Sequence, residues 1–380
     1  MRMHRSSGVL AALLAWALGA PACDSGPGLQ VGDTPTAPGA DAGEHRADSG
    51  GSDAGGSVDP TGNGAPLNGA FLEVLNNHDA DHWKAVVRAM KQLQMEEIII
   101  QTESYLTTAG TRNEVLRSNL RAVLDQAQAS GMRAWLGLVL PEYGNGSVAH
   151  ATDARFIETL ISESKKSADG IWNAFGGTTK HPAFGGWYIP VETWTPGTAA
   201  QLGDFSADGV PTSGSLRYVY EISRYCAAKS EPPLPVAFSP FISDLATDPT
   251  LTESLYTKLL KASAVTHVLL QDGVGARNIT DFTSLPAAEK ERRVVLYFHA
   301  MARAASTAQR TFWANVESFA GAGFHAPAPF SRFDAQIGAV REIVSGMVTY
   351  EFSNYWVTAS PGLPPTALST DYRAKYLPGP

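Results

Sequence analysis

A single (β/α)8 barrel is the fold this sequence predicts, and three observations lead to it. Short apolar runs recur eight times between residues 70 and 352. Amphipathic segments with helical spacing separate them; strict alternation of strand and helix implies parallel pairing, and eight such units close into a barrel. Acidic residues stand at or just beyond most of the runs, where a barrel of this kind builds its functional rim.

In chain order, Arg2 and Arg5 precede an apolar segment from Gly8 to Ala20, and Ala20, Pro21 and Ala22 lead into Cys23. The segment is too short to span a bilayer and reads as an export signal over residues 1–22. Its end has two readings: small residues before a lipid-modified Cys23, or an ordinary A-x-A cleavage site. The lipoprotein reading is the expected one, because the cysteine closes the apolar segment and a polar tether follows, although Pro21 is unusual there and Ala20 replaces the preferred leucine. Residues 23–65 are Gly, Ala, Asp, Ser, Pro and Thr with almost no aliphatic side chains. Such a stretch cannot bury enough apolar surface to offset its ordering entropy, and its reach is on the order of 35 to 40 Å.

The barrel is expected over residues 66–360, with strands at 70–75, 96–103, 133–140, 184–192, 235–242, 265–272, 310–319 and 346–352. Helical periodicity covers Trp83 to Leu93, Asn113 to Ala129, Ala154 to Ser164, Leu216 to Ala228, Leu251 to Lys261, Glu291 to Ala305 and Phe333 to Val344. Gly131 sits where a helix C-terminal cap belongs. In Phe184-Gly185-Gly186-Trp187-Tyr188-Ile189-Pro190-Val191-Glu192 the two glycines allow close approach of other chain, and the proline ends regular pairing just before the acid. Residues 361–380 are proline-rich and aperiodic and are expected to wrap the barrel loosely or to lack order.

With 44% hydrophobic and 17% charged residues the chain can bury a sizeable core. A net charge of -8 and the lack of a basic run argue against a nucleic-acid partner. There is no GxGxxG and no P-loop, so no nucleotide cofactor is expected. The histidines form no HxH at a strand and no HExxH, and His78 and His82 straddle a helix start, so no metal is expected. No lysine closes a strand, which removes a Schiff-base mechanism, and no G-x-S-x-G elbow is present. Cys226 reads as a small buried hydrophobe, with no disulfide partner if Cys23 is lipidated or removed.

The strand ends collect Glu103, Glu142, Glu192, Asp272, Glu317 and Glu351. Paired carboxylates with no other special group suit glycoside hydrolysis, in which one acid stays protonated to donate to the leaving oxygen while the other attacks carbon or activates water. Neighbouring carboxylates raise one another's pKa, which keeps a glutamate acidic near neutral pH. Each acid also has a plainer reading: a rim ion pair for Glu192, a turn cap for Asp272 in Asp-Gly, a solvated loop for Glu142. Glu73 reads as a polar member of the barrel interior. Tyr105, Tyr143, Trp194, Tyr355 and Trp356 follow acids closely and are expected to stack on sugar rings, whereas Trp83, Trp187 and Trp313 lie inside elements and read as core.

Glu192 and Glu317, ending the fourth and seventh strands, resemble the acid/base and nucleophile of the large clan of retaining barrel glycosidases. That clan commonly has Asn before the strand-four glutamate, where this chain has Val191, so Asn315 or Gln101 would have to supply the contact to the substrate's 2-hydroxyl. GLVLPEY, HPAFGGWYIPVE, FSPF, LLQDGVG, FWANVESF and YEFSNYW, in that order from about Gly69 to Trp356, resemble the bacterial family of domain of unknown function 4434, regarded as a glycosidase-like TIM barrel. The resemblance implies that Glu142, Glu192, Asp272, Glu317 and Glu351 stand inside the family's motif blocks. The expectation is an exported, lipid-anchored glycoside hydrolase of the cell envelope acting on a polysaccharide or glycoconjugate. Its membrane contact would be the lipid alone. The alternative is a carbohydrate-binding surface protein that kept the barrel and lost catalysis.

Overall fold

The computed structural model describes residues 65–107, 110–141, 153–195, 204–242, 245, 248–275, 286–320, 326–358 and 362–377. The export signal, Cys23, the tether, Glu142 and Tyr143 lie outside these residues, and Trp194 is described through its backbone only.

Eight parallel strands form the centre: β1 (Gly69–Leu72), β2 (Glu97–Ile100), β3 (Arg133–Gly137), β4 (Phe184–Ile189), β5 (Val236–Phe238), β6 (His267–Gln271), β7 (Thr311–Glu317) and β8 (Gly346–Tyr350). Each lies within one residue of the apolar run that predicts it. Neighbours in sequence are neighbours in the sheet, and β8 returns to β1 with Gly69 opposite Val348, so the barrel is closed. Around it run α1 (Ala80–Gln92), α2 (Arg117–Ala129), α3 (Ala154–Phe175), α4 (Gly214–Ala227), α5 (Pro249–Ala262), α6 (Ala287–Thr307), α7 (Phe330–Val340) and α8 (Ala367–Tyr376).

Local chemistry sets where these helices begin and end. Asp79, Asp153 and Asp248 accept from the backbone N–H of His82, Arg155 and Thr250 at 2.9, 2.8 and 2.9 Å, satisfying donors that a helix N-terminus leaves open. Gly131, at φ +64°, follows α2 in the left-handed conformation that suits glycine as a C-terminal cap.

Period-two alternation divides the strand side chains into two cores. One residue from each strand fills the barrel: Phe71, Ile99, Trp135, Tyr188, Ala237, Leu269, Trp313 and Val348. Their sequence neighbours, such as Leu72, Ile98, Ile100, Trp187, Phe238 and Leu270, pack in the larger core with the helices. Trp83, Trp187 and Trp313 are buried, as their positions predict, and Cys226 is fully buried, where burial pushes its thiol far up.

Gly186 explains part of the glycine pair in the fourth strand. A Cβ there would lie 2.5 Å from the Trp135 ring and 2.9 Å from the Pro235 carbonyl oxygen, so the missing side chain is what lets the indole fill the barrel. Gly186→Ala is expected to destabilise the fold by about 1–3 kcal/mol through overpacking, read as a lower urea midpoint at unchanged m-value. An unchanged midpoint would show that the indole has room to move.

The C-terminal segment corrects its expectation. Residues 367–376 form α8 rather than a loose tail; Thr366 caps it, Leu368 and Tyr372 are buried, and Tyr372 Oη accepts from Leu67 N at 3.2 Å. Tyr376 Oη donates to Asp334 of α7 at 2.6 Å, so the helix ties the end of the chain to the seventh unit and to the approach of β1.

Candidate active site

The N-terminal end of the barrel is sealed. Glu97 is buried there, paired with the Arg133 guanidinium and accepting from Trp135 Nε1 at 2.9 Å. His267 lies edge-on between Trp135 and Trp313, at 4.9 and 5.3 Å between ring centroids, and burial holds it near 4, neutral at physiological pH. With aromatic rings above this layer, chemistry open to substrate belongs to the opposite rim.

On that rim Glu317 closes β7 on the face shared with Trp313 and Asn315, and it is 2% exposed. Its backbone is braced: the N–H donates to Asp272 Oδ1 at 3.4 Å, and the carbonyl accepts from Gln336 Nε2 at 3.2 Å and Arg332 Nη2 at 3.4 Å. Asp272, expected at the substrate, is committed to structure. Oδ1 also accepts from Val274 N at 3.1 Å, which is the turn cap its Asp-Gly pair suggests, and Oδ2 accepts from Gln336 Nε2 at 2.6 Å.

Glu192 stands three residues past the end of β4, partly buried, and burial pushes its carboxyl upward. Gln271, closing β6, donates from Nε2 to Glu192 Oε1 at 3.3 Å and opposes that rise. The same nitrogen donates to the Ser239 carbonyl at 3.1 Å, and Ser239 Oγ accepts from Asn315 Nδ2 at 3.2 Å. Asn315 is 1% exposed. Expected to contact substrate, it is buried and donates to the Ser239 hydroxyl, itself buried.

The β8–β1 side carries a second carboxyl pair. Glu351, fully buried, caps the one-turn helix Phe352–Tyr355: Oε1 accepts from Ser353 N at 3.0 Å and Glu73 N at 3.1 Å, and Oε2 accepts from Asn354 N at 2.8 Å. Burial pushes Glu351 up and these donors oppose it. Glu73, two residues after Phe71 on the interior face, accepts from Tyr105 Oη at 3.4 Å; burial and the neighbouring Glu351 charge raise it to about 7. Tyr350 Oη donates to Gln101 Oε1 at 3.3 Å, placing Gln101 on this side. Tyr355 is buried against Phe319, 5.6 Å between centroids, and its hydroxyl is raised by burial and by the charges of Glu351, Glu73 and Glu317.

Glu73 has a consequence for stability. The folded chain keeps this proton up to about pH 7, whereas the unfolded chain releases it near 4.5. Between those values the native state binds more protons, so unfolding free energy falls as pH rises through the window and levels off above it. Glu73→Gln is expected to remove a decline of about 2–3 kcal/mol, measured by urea unfolding at pH 5 and pH 8. Equal pH dependence in the two proteins would contradict the protonated assignment.

Two expected contacts are elsewhere. Glu103 is 1% exposed and its carboxylate pairs with Arg112 at 2.9 Å and Arg117 at 3.4 Å. Arg112 also reaches Glu163 of α3 at 3.8 Å, so Glu103 faces the helical layer rather than substrate. Trp356 is not on the rim. It is fully buried, stacks with Phe352 at 6.0 Å, lies 5.2 Å from Tyr372, and donates from Nε1 to Ser318 Oγ at 3.1 Å. His78 and His82 stack at 3.8 Å beside Trp83, and burial lowers both. Gln271 and Ser239 escaped the sequence reading, although spacing of two from Leu269 and Ala237 puts both on the barrel face.

Solved structures similar to this chain include glycosidase barrels. A Bacteroides thetaiotaomicron protein assigned as an alpha-L-fucosidase superposes with a TM-score of 0.62 at 20% identity, covering 87% of this chain and 99% of its own. An endo-1,4-beta-mannanase from Rhizomucor miehei gives 0.53 at 14% identity over 85% and 96% of the two chains. A family 5 mannosidase from the same organism gives 0.52 at 11% identity over 84% and 97%. At these identities the likeness establishes the fold alone. No curated protein matches the chain. A family model described as "Domain of unknown function (DUF4434)" matches residues 67–363.

Proposed function

We propose that this chain, which belongs to the DUF4434 family, hydrolyses a glycosidic bond of a polysaccharide or glycoconjugate with retention of configuration. Glu192 is the general acid/base and Glu317 the nucleophile. The observation that carries the reading is their placement at the ends of β4 and β7 on one rim, with Glu192 raised by burial and Glu317 held by a braced backbone. The glycoside hydrolases among the structural neighbours support a carbohydrate substrate.

In the first step Glu317 attacks the anomeric carbon as the bond to the leaving oxygen breaks, and Glu192 gives that oxygen its proton. In the second, Glu192 takes a proton from water, whose oxygen displaces Glu317. Retention requires the two carboxyl groups about 5–5.5 Å apart. No cofactor is needed for these steps. Tyr105 and Gln101 lie on the β8–β1 side, where they suit sugar hydroxyls, whereas Tyr355, expected at the sugar, is 2% exposed and packs on Phe319. Tyr143, Trp194 and Glu142 are assigned to substrate contacts in this reading. The protein acts outside the cytoplasm, in the cell envelope, held by a lipid on Cys23.

A second reading, carbohydrate binding without catalysis, is favoured by Val191, which is buried where the retaining clan commonly has Asn. A panel of glycans tested with wild type and Glu192→Gln separates them. Turnover that the substitution abolishes supports the hydrolase, and glycan binding without turnover in either protein supports the alternative.

A further inference from the structure

We infer that Gln271 is a positioning residue for Glu192: its Nε2 donates to Glu192 Oε1 and to the Ser239 carbonyl, which commits Oε1 to accepting and leaves the catalytic proton on Oε2. This rests on the acid/base role proposed for Glu192. A backbone carbonyl can only accept, so the contact at 3.1 Å fixes which end of the Gln271 amide is nitrogen. Its two hydrogens are then spoken for by one carbonyl and one carboxyl oxygen.

The amide is held in turn by fixed neighbours. Ser239 Oγ donates to Leu269 O at 2.6 Å and accepts from Asn315 Nδ2 at 3.2 Å, and Gln271 N donates to Pro240 O at 3.0 Å. A chain of neutral hydrogen bonds, from Asn315 of β7 to Ser239 just past β5 and from Ser239 to Gln271 of β6, therefore holds the one amide that donates to Oε1 of the acid delivered by β4. A carboxyl that must hand a proton to a leaving group and recover one from water gains from a donor that always meets the same oxygen, because the proton then sits on the other one at every turnover. Among the described residues the charged groups of the rim are Glu317, Asp272 and Arg332 on the β6–β7 side and Glu73 and Glu351 on the β8–β1 side, and substituting Gln271 removes none of them.

The test is a carboxyl titration by 13C NMR on full-length protein labelled at glutamate Cδ, with the Glu192 signal identified by its loss in Glu192→Gln. In Gln271→Met the donor to the ionised form is gone, and the Glu192 midpoint is expected to move up by about one pH unit. Gln271→Glu keeps the side-chain size and is expected to move it the same way, should the methionine variant fail to fold. A midpoint that stays or falls in both overturns the assignment. For turnover, kcat/KM of Gln271→Met is expected to fall about 10-fold on aryl glycosides with poor leaving groups and to stay within about two-fold on dinitrophenyl glycosides, which need no acid. Equal losses on both also overturn it. A midpoint that moves while wild type cleaves no glycoside upholds the Gln271–Glu192 coupling and sinks the hydrolase reading instead.

Discussion

Glu192→Gln is expected to lower kcat/KM on glycosides with poor leaving groups by roughly 10^2- to 10^4-fold, with a much smaller loss in the first step for dinitrophenyl glycosides. The amide keeps the shape of the side chain and can still meet Gln271, but it has no proton to give. The pH profile carries a second signature. Burial raises the Glu192 carboxyl, so the wild-type acid stays protonated into the range where an ordinary glutamate is ionised, and activity falls as pH rises through its pKa. That basic limb is expected to vanish in Glu192→Gln. Persistence of the limb in the variant would assign it to another group, with Glu73 the first candidate.

Glu317→Ala is expected to abolish turnover by about 10^4-fold or more, because the proposed glycosyl intermediate forms on this carboxylate. Removing the side chain leaves a cavity at the end of β7, and azide is expected to enter it and give a glycosyl azide of inverted configuration from an activated substrate. The backbone that braces Glu317 does not depend on its carboxyl: Asp272, Gln336 and Arg332 contact its N–H and C=O. Stability should therefore hold, with a thermal midpoint within a few degrees of wild type or above it, as when a buried active-site charge is removed. A variant that loses activity only because it unfolds would show a collapsed far-UV spectrum and no azide product.

The barrel was legible in the sequence because two periods alternate strictly. Runs such as EIII and HVLLQ bury both faces of a strand, and the segments between them repeat every three to four residues. The eighth helix was obscured by Pro361, Pro364 and Pro365 just before it and by its short length, which leaves only Leu368 and Tyr372 to mark its apolar side. Among site residues, acids at strand ends were found by their charge, but charge does not tell which way a side chain faces. Glu103 lies just beyond β2, where the chain enters the strand Ser104–Leu106 that pairs with Arg112–Glu114, and that pairing brings Arg112 onto its carboxylate. Trp356 follows Glu351 closely in sequence, yet the one-turn helix between them turns it into the core. Gln271 and Ser239 carry no charge, and their link to Glu192 depends on how β5 and β6 register beyond their last paired residues, which period-two spacing alone does not specify.

The covalent step at Glu317 is the claim on which the rest depends. Its most direct test is incubation of the full chain with the 2-deoxy-2-fluoro analogue of whichever dinitrophenyl glycoside it cleaves fastest, followed by intact mass and peptide mapping. The expected result is one added glycosyl group on the peptide containing Glu317, with none in Glu317→Ala. A glycosyl group mapped to Glu73, Glu351 or Glu192, or a substrate cleaved with inversion and no adduct, would contradict it.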